Sequence, residues 1–211
     1  MTSLNIKKIN LAQPDKMLLE TAAEILTNDG ILVAPTETKY GLLGRIDRTE
    51  AVEEIYRIKK RRLSNPTAVF LRSTEEISEF GCHNDISEKL TNCFLPGPLT
   101  LVLRAKPDYN PPIAVDGRIG LRISSSPVIA GILEAVDFNL TATSANITGS
   151  DEPETIKSVA AQLGEAVALY LDGGSLTGLP STVVDCSQMG YKILREGAIG
   201  INEIKQRLAL N

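Results

Sequence analysis

Aromatic residues are scarce in this chain of 211 residues, which has five tyrosines, four phenylalanines and no tryptophan. Proteins that bind single-stranded nucleic acid stack its bases on aromatic side chains, so this composition argues against a wide stacking platform. The net charge is −4, whereas a dedicated nucleic-acid-binding domain is usually strongly basic. Any contact with RNA therefore requires a local basic patch on an acidic protein.

Cysteine and histidine are also rare, which argues against several common active sites. The three cysteines form no CxxC pair and their number is odd, so we expect reduced thiols that mostly fill the core. The single histidine, His83, lies in a polar stretch that predicts an exposed loop. One histidine cannot form an HExxH zinc site, and it argues against a Ser-His-Asp triad. The usual phosphate-binding loops, GxxxxGK[ST] and GxGxxG after a strand, are absent.

Long apolar runs are missing as well. No stretch approaches the roughly eighteen continuous apolar residues of a membrane-spanning helix. The N-terminal segment is polar and contains Lys7 and Lys8, unlike the apolar core of a signal peptide. We therefore expect a cytoplasmic protein that does not enter a membrane.

Helical and strand patterns alternate along the whole chain, which predicts an α/β sheet with helices packed on it. Thr49 is the expected N-cap of the second helix. The predicted helices cover residues 15–28, 49–62, 85–95, 128–135, 155–163 and 202–208. The predicted strands cover residues 31–34, 68–71, 99–103, 120–123, 140–143, 167–171, 182–185 and 192–194.

Polar and charged clusters follow several of these strands, at the position where open α/β sheets bind ligands. Residues 35–41 (PTETKYG) come directly after the first strand, and residues 144–146 (SAN) follow the 140–143 strand. Four cations, residues 59–62, end a helix; they either complement the helix dipole in solvent or form a clamp for a triphosphate. Each cluster alone is more typical of a turn or a solvated surface, and only their combination indicates a binding site.

Seven short motifs occur in a fixed order that resembles the YrdC-like family of threonylcarbamoyl-AMP synthases. The family pattern is PT[ED]TxYGL, KxR with NP, PGPxT, GxR, SAN.[ST]G, STVVD and RxG. The matching segments here are 35–42, 59–61 with 65–66, 96–100, 120–122, 144–149, 181–185 and 195–197. The resemblance covers about residues 14 to 208, and the order of all seven motifs makes it specific.

The resemblance implies a fold and a reaction. The expected fold is a single YrdC-like α/β domain at residues 14–208 after an N-terminal extension at 1–13, with a twisted mixed sheet, surrounding helices and a concave basic cavity. The implied enzyme is an L-threonylcarbamoyladenylate synthase, a nucleotidyltransferase that uses ATP with Mg²⁺, L-threonine and bicarbonate. Its product feeds the N6-threonylcarbamoyladenosine modification of tRNA at position 37. The implied partners are downstream threonylcarbamoyl-transfer proteins and a contact with tRNA or double-stranded RNA.

The resemblance also implies site residues, and Lys59 and Arg61 are the expected catalytic pair. The expected ATP-binding residues are Lys59, Arg61, Asn65, Ser144, Asn146 and Arg195. The expected threonine-binding residues are Thr36, Thr38, Arg122, Thr143 and Ser181. Arg122 is assigned to the threonine carboxylate because its planar guanidinium matches a carboxylate. No protein ligand for magnesium is assigned.

Three departures from the family pattern concern the amino-acid half of the predicted site. Phe70 lies where many members have a histidine, Ser124 and Ser126 replace a proline and a histidine, and Leu43-Gly44-Arg45 (43–45) departs from Gly-Leu-Gly. The alternatives are a non-enzymatic RNA-binding module of the same fold and a paralogue that forms a different acyl-adenylate. A carbamoyl-adenylate-forming domain would belong to larger chains with acylphosphatase and zinc segments.

Overall fold

The computed structural model describes residues 4–109 and 112–209. Within these ranges the strands are β1 (Ile6–Lys8), β2 (Leu32–Pro35), β3 (Tyr40–Leu43), β4 (Ala68–Phe70), β5 (Gly81–Cys82), β6 (Leu99–Ala105), β7 (Ala114–Val115), β8 (Arg118–Arg122), β9 (Leu140–Ser144), β10 (Leu169–Asp172), β11 (Thr182–Asp185) and β12 (Lys192–Arg195). The helices are α1 (Lys16–Thr27), α2 (Thr49–Lys59), α3 (Ile77–Phe80), α4 (Asp85–Phe94), α5 (Pro127–Glu134), α6 (Ile156–Leu163) and α7 (Ile201–Ala209).

The strands form one mixed sheet, which confirms the predicted fold class. Its order is β1-β10-β2-β3-β9-β4-β8-β6-β11-β12, with β5 beside β6 and β7 beside β8. The β1–β10, β10–β2, β4–β8 and β6–β11 pairs are parallel. The β2–β3, β3–β9, β9–β4, β8–β6 and β11–β12 pairs are antiparallel.

Helix α2 differs from its prediction at both ends. Its N-cap is Arg48, which makes no side-chain capping bond, so the expectation of Thr49 as N-cap was wrong. The helix ends at Lys59 because Lys60 takes up a left-handed conformation with φ +50°. The four cations therefore have different environments: Lys59 points into the protein, whereas Lys60 and Arg62 are exposed.

Two buried layers cover opposite faces of the sheet near β2. Leu32 and Ala34 pack with helices α1 and α5, whereas Ile31 and Val33 pack with α2 and α6. Successive residues of a strand point to opposite faces, so an unbroken apolar strand is what a sheet covered on both sides requires. A third apolar cluster joins α4 and α7 to the β6, β8 and β11 end of the sheet.

The cysteines and the histidine behave partly as expected. All three cysteines are free thiols, as predicted, but only Cys186 is buried; Cys82 is partly exposed and Cys93 is exposed. His83 is half-buried rather than exposed, and its Nδ1 lies 3.1 Å from the Ser87 hydroxyl. Among residues 4–109 and 112–209, no helix is long and apolar enough to cross a membrane.

Candidate functional site

A cavity of about 480 Å³ opens over the middle of the sheet, on strands β4, β6, β8 and β11. Alternate residues of β4 form part of its floor: Ala68 and Phe70 face the cavity, whereas Val69 between them packs in the apolar core on the opposite face of the sheet. The floor is low because Gly120 has no side chain there; an added Cβ would lie 3.1 Å from the Ala68 Cβ. Its volume is that of a site for a small molecule.

The cavity is basic although the chain is acidic. Its charged lining residues are the cations Lys39, Arg61, Arg118, Arg122 and Arg195 and the anions Asp116 and Glu152. Five positive and two negative groups leave a local charge of +3 in a chain whose net charge is −4. Such a pocket concentrates anions, and its charges are less screened than those on an open surface.

The structure brings most of the predicted site residues into this one cavity. The predicted residues that line it are Thr36, Thr38, Arg61, Asn65, Arg122, Thr143, Ser144, Ser181 and Arg195. Lys59 and Asn146 do not line it. The sequence interpretation gave no role to Lys39, Arg118, Asp116 or Glu152, which line the wall as well.

Lys59 lies behind the cavity wall and holds the Ser144–Asn146 turn. Its side chain is almost completely buried, with 1% of its surface exposed. The Nζ atom donates to the Ser144 carbonyl, to the Asn146 carbonyl at 2.9 Å and to the Asn146 Oδ1 at 3.3 Å. These contacts use all three donors of an ammonium group, so Lys59 has none left for a phosphate.

The electrostatics of Lys59 match this structural position. Burial, followed by the neighbouring Arg61 charge, lowers the pKa of the Lys59 ammonium to about 7, while Glu152 opposes the shift. Like the Glu152 charge, the carbonyl oxygens favour the protonated form of Lys59, because they accept hydrogen bonds from the ammonium. The turn that Lys59 holds is closed further by the Ser144 hydroxyl, which donates to Asn146 Oδ1 at 2.7 Å.

Arg61 points into the cavity from the residues that follow α2. Its Nε donates to the Asn65 carbonyl at 3.0 Å and its Nη2 to the Pro66 carbonyl at 2.7 Å. A third contact, from Nη1 to the Thr143 hydroxyl, is 3.5 Å long. A guanidinium has five N–H donors, so one remains on each terminal nitrogen. That pair has the spacing that binds a phosphate or carboxylate with two parallel hydrogen bonds.

Arg195 approaches the same cavity from β12. Its Nε donates to the Ser181 carbonyl at 3.0 Å and its Nη2 to the Ser181 hydroxyl at 3.1 Å. That hydroxyl also lies 3.0 Å from the hydroxyl of Thr100. Burial lowers the pKa of Arg195, and Glu152 opposes that shift as it does at Lys59. Ser181, assigned from the sequence to threonine, therefore contacts a residue assigned to ATP.

The threonines of the PTET segment (35–38) shape a tight turn at the end of β2. The Thr36 hydroxyl donates to the Lys39 carbonyl at 2.7 Å and accepts from the Thr38 and Lys39 amides at 3.1 and 3.2 Å. Its oxygen is also 3.0 Å from the Thr38 hydroxyl. The Thr36 hydroxyl is thus already engaged in the turn.

Arg122 is buried at the end of β8 and is held from one side. Its Nη2 donates to Glu37 Oε1 and to the Thr38 hydroxyl, each at 2.8 Å. Its Nε is buried without a partner, and its guanidinium lies 5.5 Å from the centre of the Phe70 ring. The sequence quoted Glu37 within a motif but gave it no role, because nothing local shows a contact between residues 85 positions apart.

The cavity lining offers few side chains that can bind a metal ion. Among the described ranges 4–109 and 112–209, no group of three or more His, Cys, Asp and Glu residues could hold a metal ion. Of the two carboxylates in the lining, Asp116 lies 3.6 Å from Arg118. Mg²⁺ that arrives with a nucleotide needs only one or two protein carboxylates, because phosphates and water supply the other ligands. The available residues, Glu152 foremost, fit that kind of magnesium.

Comparison with known proteins adds a family to this geometry. A family model, Sua5_yciO_yrdC with the description Telomere recombination, matches residues 24–197. A curated putative threonylcarbamoyl-AMP synthase of Methanocaldococcus jannaschii is 33% identical over 202 residues, which cover 95% of this chain and 95% of that protein. The threonylcarbamoyl-AMP synthase of Bacillus subtilis is 31% identical over 188 residues. That match covers 87% of this chain but 54% of the Bacillus protein, so the chain spans about half of its length.

A solved structure shows a similar fold. The P. abyssi Sua5 protein complexed with L-threonine superposes with a TM-score of 0.88 at 26% sequence identity. The superposition covers 99% of this chain and 61% of the P. abyssi chain. The family resemblance inferred from the seven motifs and the predicted fold class are therefore confirmed.

Proposed function

Because the chain belongs to the Sua5_yciO_yrdC family, we propose that it forms L-threonylcarbamoyladenylate and pyrophosphate from L-threonine, bicarbonate and ATP. The observation that carries the proposal is the basic cavity, in which Arg61 and Arg122 each present unused N–H groups. The names of two relatives and the L-threonine bound to the P. abyssi protein support it.

The nucleotide occupies the part of the cavity between Arg61 and Arg195. The two free N–H groups of Arg61 bind phosphate oxygens, and Arg195 adds a second positive charge on the opposite wall. Asn65 and Ser144 supply polar contacts beside them. Lys59 and Asn146, which do not line the cavity, act through the turn: they hold Ser144 in place.

The amino acid occupies the part of the cavity near Arg122. Its carboxylate binds the Nη1 of Arg122, since both donors of Nη2 are taken. Thr38, Thr143 and Ser181 line the same cavity, and Thr38 lies directly on Arg122. Phe70 supplies an apolar surface that suits the methyl group of threonine.

The reaction needs positioning and charge stabilisation more than covalent catalysis. The threonine amine combines with bicarbonate to give a carbamate and water, and a carbamate oxygen then attacks the α-phosphorus of ATP. The bond between the α-phosphorus and the bridging oxygen breaks, and pyrophosphate leaves. Arg61 and Arg195 stabilise the negative charge that builds up on the phosphates, as fixed cations do in an enclosed site. Magnesium bound with the nucleotide would supply further charge neutralisation, and Glu152, a carboxylate of the cavity lining, would be its protein ligand.

The product feeds the N6-threonylcarbamoyladenosine modification at position 37 of tRNA, through downstream transfer proteins and in the cytoplasm. A purely RNA-binding role is not favoured, because the clustered arginines Arg61, Arg122 and Arg195 line a cavity of about 480 Å³, which suits a small anionic ligand.

Pyrophosphate release tests the proposal directly. We expect release to require ATP, bicarbonate and L-threonine together. Serine lacks one methyl group, so it should be a weaker substrate by about 1–3 kcal/mol in kcat/KM. Release that is independent of the amino acid, or that prefers an unrelated one, would refute the threonine assignment. Mass spectrometry of the adenylate identifies the product.

A further inference from the structure

Glu37 binds the buried Arg122 but does not itself line the cavity. Arg122 lines the cavity with only 8% of its surface exposed. The Glu37 side chain is 15% exposed, and its Oε1 accepts from Arg122 Nη2 at 2.8 Å. The carboxylate therefore holds the guanidinium at Nη2 without being part of the cavity lining.

A second contact fixes the position of Glu37. Its Oε2 accepts a hydrogen bond from the Ser124 hydroxyl. Ser124 is in turn held by the Ser126 amide, which donates to its hydroxyl at 3.2 Å, and the Ser126 hydroxyl donates to the Pro35 carbonyl at 3.2 Å. Both oxygens of Glu37 are thus engaged, and the serines that depart from the family pattern supply the second support.

This arrangement leaves one defined end of Arg122 for a ligand. The two donors of Nη2 are used by Glu37 and Thr38, and the Nε is buried without a partner. Only Nη1 has donors that are both unused and accessible. An unpaired buried guanidinium would be costly, so Glu37 lets Arg122 stay buried while its Nη1 remains free.

We propose that Glu37, supported by Ser124, is a positioning residue that orients Arg122 so that its Nη1 receives the carboxylate of the amino-acid substrate. The inference rests on the proposed function, in which a carboxylate binds at Arg122. Glu37 does not contact the substrate. The alternative role for Glu37 is that of a competitor. Its carboxylate would then occupy Arg122 in the free protein and would have to leave before a substrate carboxylate binds.

Two ligands that differ only at the carboxylate test this role. L-Threoninamide keeps the side chain and amine of L-threonine but replaces the carboxylate with a neutral amide. We expect the wild-type protein to prefer L-threonine, and Glu37→Gln to reduce that preference about tenfold by weakening L-threonine binding alone. Ser124→Ala should reduce it in the same direction by a smaller factor. Glu134→Gln, the same change at an exposed glutamate, should leave it unchanged.

Isothermal titration at one pH, with thermal unfolding as a check on folding, measures these preferences. Equal losses for both ligands would mean a merely structural role, and stronger L-threonine binding by Glu37→Gln would mean a competitor; either result overturns the inference. If Glu37→Gln does not fold, Ser124→Ala decides, and an unchanged preference in that variant overturns it. A wild-type protein that does not distinguish the two ligands would overturn the carboxylate assignment in the proposed function as well.

Discussion

Replacing Arg61 with alanine tests the nucleotide half of the cavity most directly. Arg61 is the only member of the cation run 59–62 that lines the cavity. Lys59 is buried behind the wall, whereas Lys60 and Arg62 are exposed. If the four neighbouring cations acted only through diffuse electrostatics, replacing any one of them would weaken ATP binding to a similar extent. Their different positions in the structure predict different effects.

The expected magnitude follows from the hydrogen bonds that remain available. Arg61 uses three donors within the protein, to Asn65, Pro66 and Thr143, and keeps one on each terminal nitrogen. A hydrogen bond to a charged group contributes about 1.5–3 kcal/mol. Because Arg61 is partly exposed and solvent weakens its interactions, we expect the combined loss of both phosphate hydrogen bonds to lie in that range. ATP affinity should therefore fall by about 10- to 150-fold, at about 1.4 kcal/mol for each factor of ten.

Titration of ATP and of adenosine into each variant measures this effect. Arg61 also holds the backbone at Asn65 and Pro66, so Arg61→Ala could loosen the loop. Adenosine lacks phosphates, and its binding separates the two effects: phosphate binding by Arg61 predicts a loss for ATP alone. Arg62→Ala is the matched control and should change neither affinity. Similar losses for Arg61→Ala and Arg62→Ala, or equal losses for ATP and adenosine, would refute the reasoning.

Three further changes test other parts of the site. Arg122→Lys should raise the KM for threonine about tenfold, because lysine keeps the charge but loses the planar guanidinium, whose two terminal nitrogens serve Glu37 and the ligand separately; a fall in ATP affinity measured without threonine would instead place Arg122 in the nucleotide half. The pKa of Lys59 is about 7 in the folded protein, against an ordinary value of 10.5. Above about pH 7 the folded protein therefore loses the Lys59 proton while the unfolded chain keeps it, so the free energy of unfolding should rise with pH in that range. Urea unfolding at about pH 6 and about pH 9 should show that rise in the wild type and not in Lys59→Met, and an equal pH dependence in both would contradict it. Gly197→Ala would place a Cβ 2.1 Å from the Pro180 carbonyl oxygen, so it should lower the free energy of unfolding by about 1–3 kcal/mol, and an unchanged melting temperature would contradict that close packing.

Local patterns determined most of the secondary structure of this protein. The spacing of apolar residues placed α1, α4 and α6 within a residue or so of their observed bounds, because one buried face repeats with the period of the helix. The missed strands are short or adjoin a turn. Strand β3 (Tyr40–Leu43) begins within the PTETKYG segment (35–41), whose polar residues are typical of a turn and give no sign of the strand that starts there.

The sequence also determined which residues belong to the family motifs, and most of them do meet in one cavity. It could not show which face of a strand or which side of a wall each one occupies. Lys59 and Arg61 are two positions apart in one motif, yet the helix ends at Lys59 and Lys60 between them takes up a left-handed conformation. Lys59 points inward, towards carbonyl groups, because it lies on the buried face of the helix, and the backbone change at Lys60 then directs Arg61 towards the cavity.

Only the tertiary structure decided the pairing of Arg122 with Glu37. The two residues are 85 positions apart and lie at the ends of different parts of the sheet, so no local period relates them. The strand order brings β2 and β8 to a common cavity, and burial of the guanidinium then requires a carboxylate within reach. Sequence patterns record local periodicity, whereas the contacts that orient this arginine depend on how distant strands are arranged in the sheet.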